Sequence, residues 1–498
     1  MNKLDILKNI DFGQSVAEQE ADKLEMYFVE TSQWSQVYQD EIDIVYGPKG
    51  AGKSAIYSLI NKYEPEFFQK DIVLRFAENP RGATAFSDLE IDPPPNEKTF
   101  VNLWKLYFLV LIGEHFQEYG TQTSNGSEVL NALTDSELLQ EERPLRAILG
   151  KVKNYIYKYF NPQSFEPTAS FNEQTGGLTD VGLKVSFNEP TDKMAKEGVK
   201  SVDTLLYKSD QELKNSGFKI WFLLDRLDVA FTDSPDLEEN ALRALFKTYL
   251  DLLGFEHFKL KIFLRSDIWG RITKDGFREA THIIKHTTID WDRSSLLNLV
   301  VKRFLNNNSV VSFYGLKKDE VFLDIDSQQE VFYKIFPQQI DSGNNPDTFD
   351  WILGRTKDSL NVSAPRDIIN LINGAISAQI KSFELGEDLT DETMLFSRAS
   401  LKKGLAYASK EKTEKFLFAE YPNHRGYFDA LRGEKSKQTL ASLASLWSCT
   451  EEEAEKIASQ IALTGFWKIE KKEQPTYWIQ FIFRDGLEIV QGTAKVDS

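Results

Sequence analysis

Apolar positions along this chain change rhythm part of the way through. Up to about residue 304, short runs dense in Ile, Val, Leu and Phe alternate with longer stretches whose apolar residues recur every three or four positions. The runs Ile42–Tyr46, Ile72–Phe76, Phe218–Leu224, Leu260–Leu264 and His282–Ile289 predict strands of a mostly parallel, well-covered sheet. Helices are predicted between them: one opening at Ser54, a nearly all-apolar one over Val101–Phe116, and others over Val202–Asn215, Leu237–Leu253 and from Ser294 or Ser295 to Phe304. Val16, Leu24, Phe28 and Val29, set among charges, predict an amphipathic helix within Ser15–Glu30, packed on the same domain. Phe86–Lys98 reads as a loop, marked by Pro93-Pro94-Pro95.

Between about 120 and 217 the composition turns polar, which predicts an insertion between core strands. It holds a Tyr- and Lys-rich helix near Leu145–Phe160 and a hairpin with arms Ser164–Glu173 and Leu178–Phe187 around Thr175-Gly176-Gly177. The hairpin is either a surface for partners or a decoration without a role. Beyond 305 the pattern turns helical, over Gln328–Phe336, Phe349–Leu353 and Arg366–Ser377, with Pro365 in the first turn of the last. The final hundred residues change again: a helix over Leu440–Trp447, a capping box at Thr450 opening a helix to Thr464, then hairpin arms Gly465–Glu470 and Thr476–Phe483. Helix, helix, hairpin is the layout of a winged helix. The domains expected are therefore 1–304, 305–395 as a helical lid, and 396–498.

Composition narrows the function classes. The chain has 498 residues, 41% apolar and 12% aromatic, with 59 Lys and Arg against 76 Asp and Glu, a formal net charge of −17. Such a chain folds, and bulk nucleic acid and anionic membrane repel it, so any DNA contact must come from a local basic patch. The second helix of the winged-helix layout opens with Glu451, Glu452, Glu453 and Glu455 against the single Lys456, which favours a protein-contacting or packing role over DNA reading. The longest apolar run, near Phe100–Ile112, is broken by Asn102 and Lys105 and is too short to span a bilayer. One cysteine, Cys449, and an acidic N-terminus without an apolar signal core fit a cytoplasmic protein. Five histidines show no metal-site spacing; His282 and His286 alternate on a predicted strand and read as structural.

The chemistry concentrates where the first strand ends. Gly47-Pro48-Lys49-Gly50-Ala51-Gly52-Lys53-Ser54-Ala55 lies between a buried strand and a helix, the context in which a glycine-rich stretch cradles phosphates with its backbone N–H groups. Lys53 reaches the β- and γ-phosphates and the Ser54 hydroxyl ligates Mg²⁺. The strand Phe218–Leu224 runs into Asp225, with Asp228 three residues on, a Walker-B-like signal: Asp225 holds Mg²⁺ directly or through water, and Asp228 orients or deprotonates the attacking water. Leu260–Leu264 ends at Arg265, which is either a γ-phosphate sensor or an ordinary salt-bridging arginine. Arg366 is a second sensor or a residue at a domain seam, with Arg355 and Arg271 as competitors. No Asn-Lys-x-Asp guanine-reading motif follows, so ATP is favoured over GTP. The fold class expected is α/β: a three-layer P-loop NTPase sandwich with a helical lid and a C-terminal winged-helix domain.

These residues resemble the P-loop ATPases of the STAND and KAP-like branch, related to AAA+ proteins. More closely, the chain is similar to a bacterial family sharing a Phe-Gly-x₃-Ala-Glu-x-Glu lead-in (Phe12-Gly13, Ala17-Glu18, Glu20), the loop above, an h-h-Asp-x-Leu-Asp strand end, a Pro-Arg-Asp helix (Pro365-Arg366-Asp367) and a late Asp485-Gly486-Leu487. The resemblance implies an ATP-binding switch, often linked to defence against phage or mobile elements; the chain's own pattern points to a protein partner, or self-association, through the insertion and winged helix. A DNA-handling ATPase of the origin-loader type, or a scaffold that holds ATP without hydrolysing it, are the alternatives. One departure stands out: Arg226 follows Asp225 where AAA+ proteins carry Glu, which leaves water activation to Asp228.

Overall fold

The computed structural model describes residues 2–15, 20, 23–76, 97–139, 185–187, 190–192, 196, 198–225, 227, 235–274, 276–388, 390, 393–470 and 474–494. The expected helix 145–160, the 164–187 hairpin except its last three residues, the 93–95 prolines, Ala17, Glu18, Arg226 and Asp228 lie outside them. The chain packs as two units. One comprises Ser32–Gly47 and Lys53–Ile289; the other comprises Met1–Thr31, Pro48–Gly52 and Asp290–Ser498.

The Ser32–Ile289 unit is built on a parallel sheet of five strands: β1 (Ile44–Gly47), β2 (Ile72–Phe76), β5 (Lys219–Leu224), β6 (Phe258–Arg265) and β7 (His286–Thr288), in the order β2-β5-β6-β1-β7. Two further two-residue strands, β3 (Val185–Ser186) and β4 (Lys200–Ser201), pair separately. The central strands read as near-continuous Ile, Val, Leu and Phe because helices cover both faces. The apolar helix runs over Glu97–Tyr119, longer than predicted, with Leu106, Tyr107, Phe108, Leu109 and Val110 fully buried. Its middle is buried on most sides, while the last turn, Gln117–Tyr119, is exposed.

Two local expectations differ from the fold. His282 is not on a strand: it closes a 3₁₀ turn over Arg278–His282, and β7 has only three residues because β1 offers partners only at Ile44, Val45 and Tyr46. Glu97 and Lys98, read as loop, begin the apolar helix. The polar stretch after Gly120 forms a helix, Ser124–Asp135, whose Val129, Ala132 and Leu133 make a narrow buried stripe. The fully buried carboxylate of Glu212 accepts from the backbone N–H groups of Gln122 and Thr123 just ahead of that helix.

In the unit that holds the C-terminal half, helices Arg293–Leu305, Ile325–Ile335, Thr348–Thr356, Pro365–Glu384 and Arg398–Lys412 surround an aromatic-rich core that includes Phe304, Phe332, Phe336, Phe349 and Phe396. The first of these is capped by Asp292, whose side chain accepts from the Ser295 N–H, rather than by Ser294 or Ser295. Pro365–Glu384 and Arg398–Lys412 pack closely at Gly404, where a Cβ would fall 2.3 Å from the Leu371 carbonyl oxygen. The helix expected within Ser15–Glu30 is reduced, among the described residues, to Leu24–Tyr27. The lead-in instead wraps around Arg303: Glu20 accepts from the Gln14 N–H and the Tyr27 hydroxyl and pairs with Arg303, while Arg303 donates to the Phe12 carbonyl across 2.7 Å. Gly13 lies at φ +83°, and a side chain there would collide with both Arg303 and Glu20.

The chain closes on helices Leu440–Trp447 and Glu451–Ala462 and a mixed sheet of β8 (Lys435–Thr439), β9 (Trp467–Glu470), β10 (Thr476–Ile479) and β11 (Val490–Thr493), in the order β11-β8-β10-β9. The predicted helix–helix–hairpin order is present, and the capping box at Thr450 is formed in both directions. The second hairpin arm stops at Ile479 rather than Phe483, because the ladder with β9 ends there and Phe481–Arg484 turns into a helical turn. The elements β8, β11 and the Arg398–Lys412 helix carry no prediction from the sequence.

Candidate nucleotide site

The C-terminal ends of three adjacent parallel strands put the chemistry at one edge of the sheet, where open α/β sheets bind ligands. Gly47 at the end of β1 stands opposite Arg265 at the end of β6, and Leu224 of β5, which precedes Asp225, stands opposite Ile262 of β6. Lys53 and Ser54 begin the Lys53–Lys62 helix, so their positions follow from the turn after β1. The buried Lys53 ammonium donates to the Gly47 carbonyl at 2.7 Å. The Ser54 hydroxyl donates to the Asp225 carboxylate at 2.9 Å, and Asp225 is 4% exposed. A hydroxyl and a carboxylate oxygen this close are hard donors that fit Mg²⁺, which keeps waters and nucleotide phosphates for its remaining positions. Among the described residues no cluster of three His, Cys, Asp or Glu forms an all-protein metal cage.

Arg265 is engaged by Asp267, two residues on, through Nε to Oδ1 at 3.0 Å and Nη2 to Oδ2 at 2.7 Å. Burial raises the Asp267 pKa, but the bonds and charge of Arg265, with Lys53 behind them, hold the carboxyl below its usual range. Asp267 was not predicted. Its only signal in the sequence is its place just past a buried strand, in Arg265-Ser266-Asp267.

The loop Pro48–Gly52 turns through Gly50 at φ +83° and Gly52 at φ +104°, backbone that residues with a side chain rarely adopt. Its packing partners belong to the C-terminal unit. The Trp291 indole donates to the Ala51 carbonyl at 2.7 Å, and a Cβ on Gly50 would lie 3.0 Å from Cβ of Arg366. Arg366 thus stands beside the loop, its Nε donating to the Ser15 carbonyl at 3.1 Å. Lys49 is ion-paired with Glu420. Of the competing arginines, Arg355 stacks on the Phe481 ring at 3.5 Å and Arg271 pairs with the buried Glu238. Trp291 and Glu420 were also missed: the first sits in an Asp290-Trp291-Asp292 stretch read only as a strand end, and the second has no sequence signal.

The motif, the strand order and the convergence of Lys53, Ser54 and Asp225 make this an α/β P-loop NTPase fold with a C-terminal domain. Among the described residues no helix is long and apolar enough to cross a membrane. No protein-family model matches the chain, and no characterised protein matches it in sequence. Solved structures similar to it include the Orc1 protein of Aeropyrum pernix in complex with DNA, at 10% identity and TM-score 0.38 over 95% of this chain and 96% of that one. The ORC2 protein of the same organism, in ADPNP and ADP complexes, gives 10% identity and TM-score 0.40 over 94% and 91%. The Walker-type ATPase PABY2304 of Pyrococcus abyssi gives 10% and 0.36 over 97% and 98%. Likenesses this distant carry no argument about what the chain does.

Proposed function

We propose that the chain is a Mg²⁺-dependent ATPase that works as a nucleotide switch. The observation that carries this reading is the 2.9 Å contact between Ser54 and Asp225, which joins the loop's hydroxyl to the acidic end of a different strand at one point. In this reading the backbone N–H groups of Gly47–Ala55 and the Lys53 ammonium bind the triphosphate, and Ser54 and Asp225 hold Mg²⁺, which neutralises charge on the β- and γ-phosphates. Asp228 orients the attacking water, and Arg265 and Arg366 respond to the γ-phosphate. Nucleotide state then changes the surface offered by the insertion and the C-terminal domain.

Two partner classes follow. A DNA-handling role of the origin-loader type is compatible with the helix pair and hairpin of the C-terminal domain. A protein partner, in bacterial defence as the lead-in and Pro-Arg-Asp resemblance implies, is favoured by the exposed acidic Glu451, Glu452, Glu453 and Glu455 on the helix that would otherwise face phosphate. Phosphate release by the purified chain, with and without duplex DNA, separates the two. DNA stimulation that falls steeply with salt supports the first, and indifference to DNA the second. Lys53→Ala should lose ATP binding and turnover, while Asp228→Asn should bind ATP and turn over poorly. ATP binding by the parent chain with no phosphate release under any condition would leave a scaffold and overturn the ATPase.

A further inference from the structure

The five loop residues Pro48–Gly52 pack with the C-terminal unit, although the strand before them and the helix after them belong to the other. Lys49 supplies the longest-reaching of these contacts. Its ammonium pairs with Glu420, approaches the Lys415 carbonyl oxygen at 3.5 Å and lies 5.7 Å from the centre of the Phe416 ring. All three partners lie in or just beyond a π-helical turn, Thr413–Phe418, that continues the Arg398–Lys412 helix. Such turns insert an extra residue into the helical ladder and recur at functional sites.

The turn and the helix that leads into it are also joined to Gly486, beside the C-terminal sheet. The Gly486 N–H donates to the Ser409 hydroxyl at 2.8 Å, and a Cβ on Gly486 would fall 2.2 Å from Oγ1 of Thr413 and 2.8 Å from the Ser409 carbonyl oxygen. Only glycine allows this approach. Leu487, next in the chain, is fully buried and accepts from the Gly433 N–H, which leads directly into β8. An unbroken line of contacts therefore runs from Lys49 through Glu420 and the π-turn to Gly486 and the C-terminal sheet.

Anion capture is a poor account of the cations around this turn. A cavity of about 70 Å³ is lined by Lys49, Arg366, Asp367, Glu411, Lys412 and Lys415, but Lys412 pairs with Asp367, Lys415 with Glu411 and Lys49 with Glu420. The Lys49 and Glu420 side chains are 25% and 24% exposed, so solvent reaches the pair, and a ligand that binds its open and closed forms unequally shifts it.

We infer that Lys49 and Glu420 form a latch by which the phosphate-binding loop reports nucleotide occupancy to the C-terminal sheet through the 413–418 turn. The inference rests on the ATP-binding reading above and adds its output route. The test is hydrogen exchange on the full chain with and without Mg·ATP, following 413–418 and 481–493, in the parent and in Glu420→Gln. The parent should change exchange in both segments on ATP addition. Glu420→Gln should bind ATP within about threefold of the parent and lose the change at 481–493. An unaltered response at 481–493 in Glu420→Gln, with ATP bound, overturns the latch alone. No ATP binding by the parent overturns the nucleotide reading and the latch together.

Discussion

Arg265 and Asp267 meet edge to edge, two parallel hydrogen bonds of 3.0 and 2.7 Å fixing the guanidinium plane at the end of β6. An arginine so held is pre-oriented, and its side chain is 9% exposed, so loss of the carboxylate leaves a largely buried cation without that partner. If Arg265 senses the γ-phosphate, Asp267→Ala should lower ATP turnover about tenfold or more, and adding Arg265→Ala should cost little further. A double-mutant cycle on phosphate release checks this. Full additivity would show that Asp267 does not act through Arg265.

Ser54 and Asp225 share one point, so they should share one phenotype. Ser54→Ala and Asp225→Asn are each expected to abolish most of the Mg²⁺-dependent gain in ATP affinity, by about tenfold or more, the scale on which even outer-shell partners of metals act. Affinity measured in EDTA should stay near that of the parent. Titration calorimetry in both buffers reads the difference directly.

Gly404 permits a close approach between the Pro365–Glu384 and Arg398–Lys412 helices. A Cβ there meets the Leu371 carbonyl oxygen at 2.3 Å and Ala375 at 2.9 Å, backbone and short side chain that have little room to yield. Gly404→Ala should destabilise that unit by about 1–3 kcal/mol, the ordinary cost of overpacking. A fall in urea midpoint without a change in slope is the expected reading.

Two neighbours on the apolar helix give stability opposite pH slopes. Burial, with the nearby Arg75, holds the His115 pKa down to about 4, and His115 is 1% exposed. Because its unfolded value lies higher, its contribution is present above pH 6.5 and is lost as pH falls from 6.5 toward 4. Burial pushes the adjacent Glu114 up to about 6, so its penalty appears as pH rises from 4.5 to 6. The two partly cancel between 4.5 and 6. Glu114→Gln should therefore lose stability more steeply on acidification than the parent, and His115→Phe less steeply, in urea melts at pH 6.5, 5.5 and 4.5.

The strands were legible because burial on two faces writes itself as runs dense in apolar residues, and β2, β5 and β6 lie where Ile72–Phe76, Phe218–Leu224 and Leu260–Leu264 predicted them. The loop was legible because phosphate chemistry constrains residue type at fixed spacing. What escaped is set by tertiary pairing. His282 and His286 are spaced as on a strand, yet His282 closes a 3₁₀ turn and Ile284 is 80% exposed, while the ladder with β1 covers only His286–Thr288. The lead-in has helical spacing, but its backbone follows Arg303, almost three hundred positions away. Asp267 and Glu420 acquire meaning only from the partners that the fold brings to them.

The division of the chain has a practical outcome for anyone wishing to dissect it. Its backbone passes from one packing unit to the other four times, at 31/32, 47/48, 52/53 and 289/290. Neither can be expressed as one continuous fragment. A truncation ending at Ile289 would deprive Ala51 of its indole donor from Trp291 and Lys49 of Glu420, so low activity in such a fragment would report a dismantled loop, not a dispensable C-terminal half.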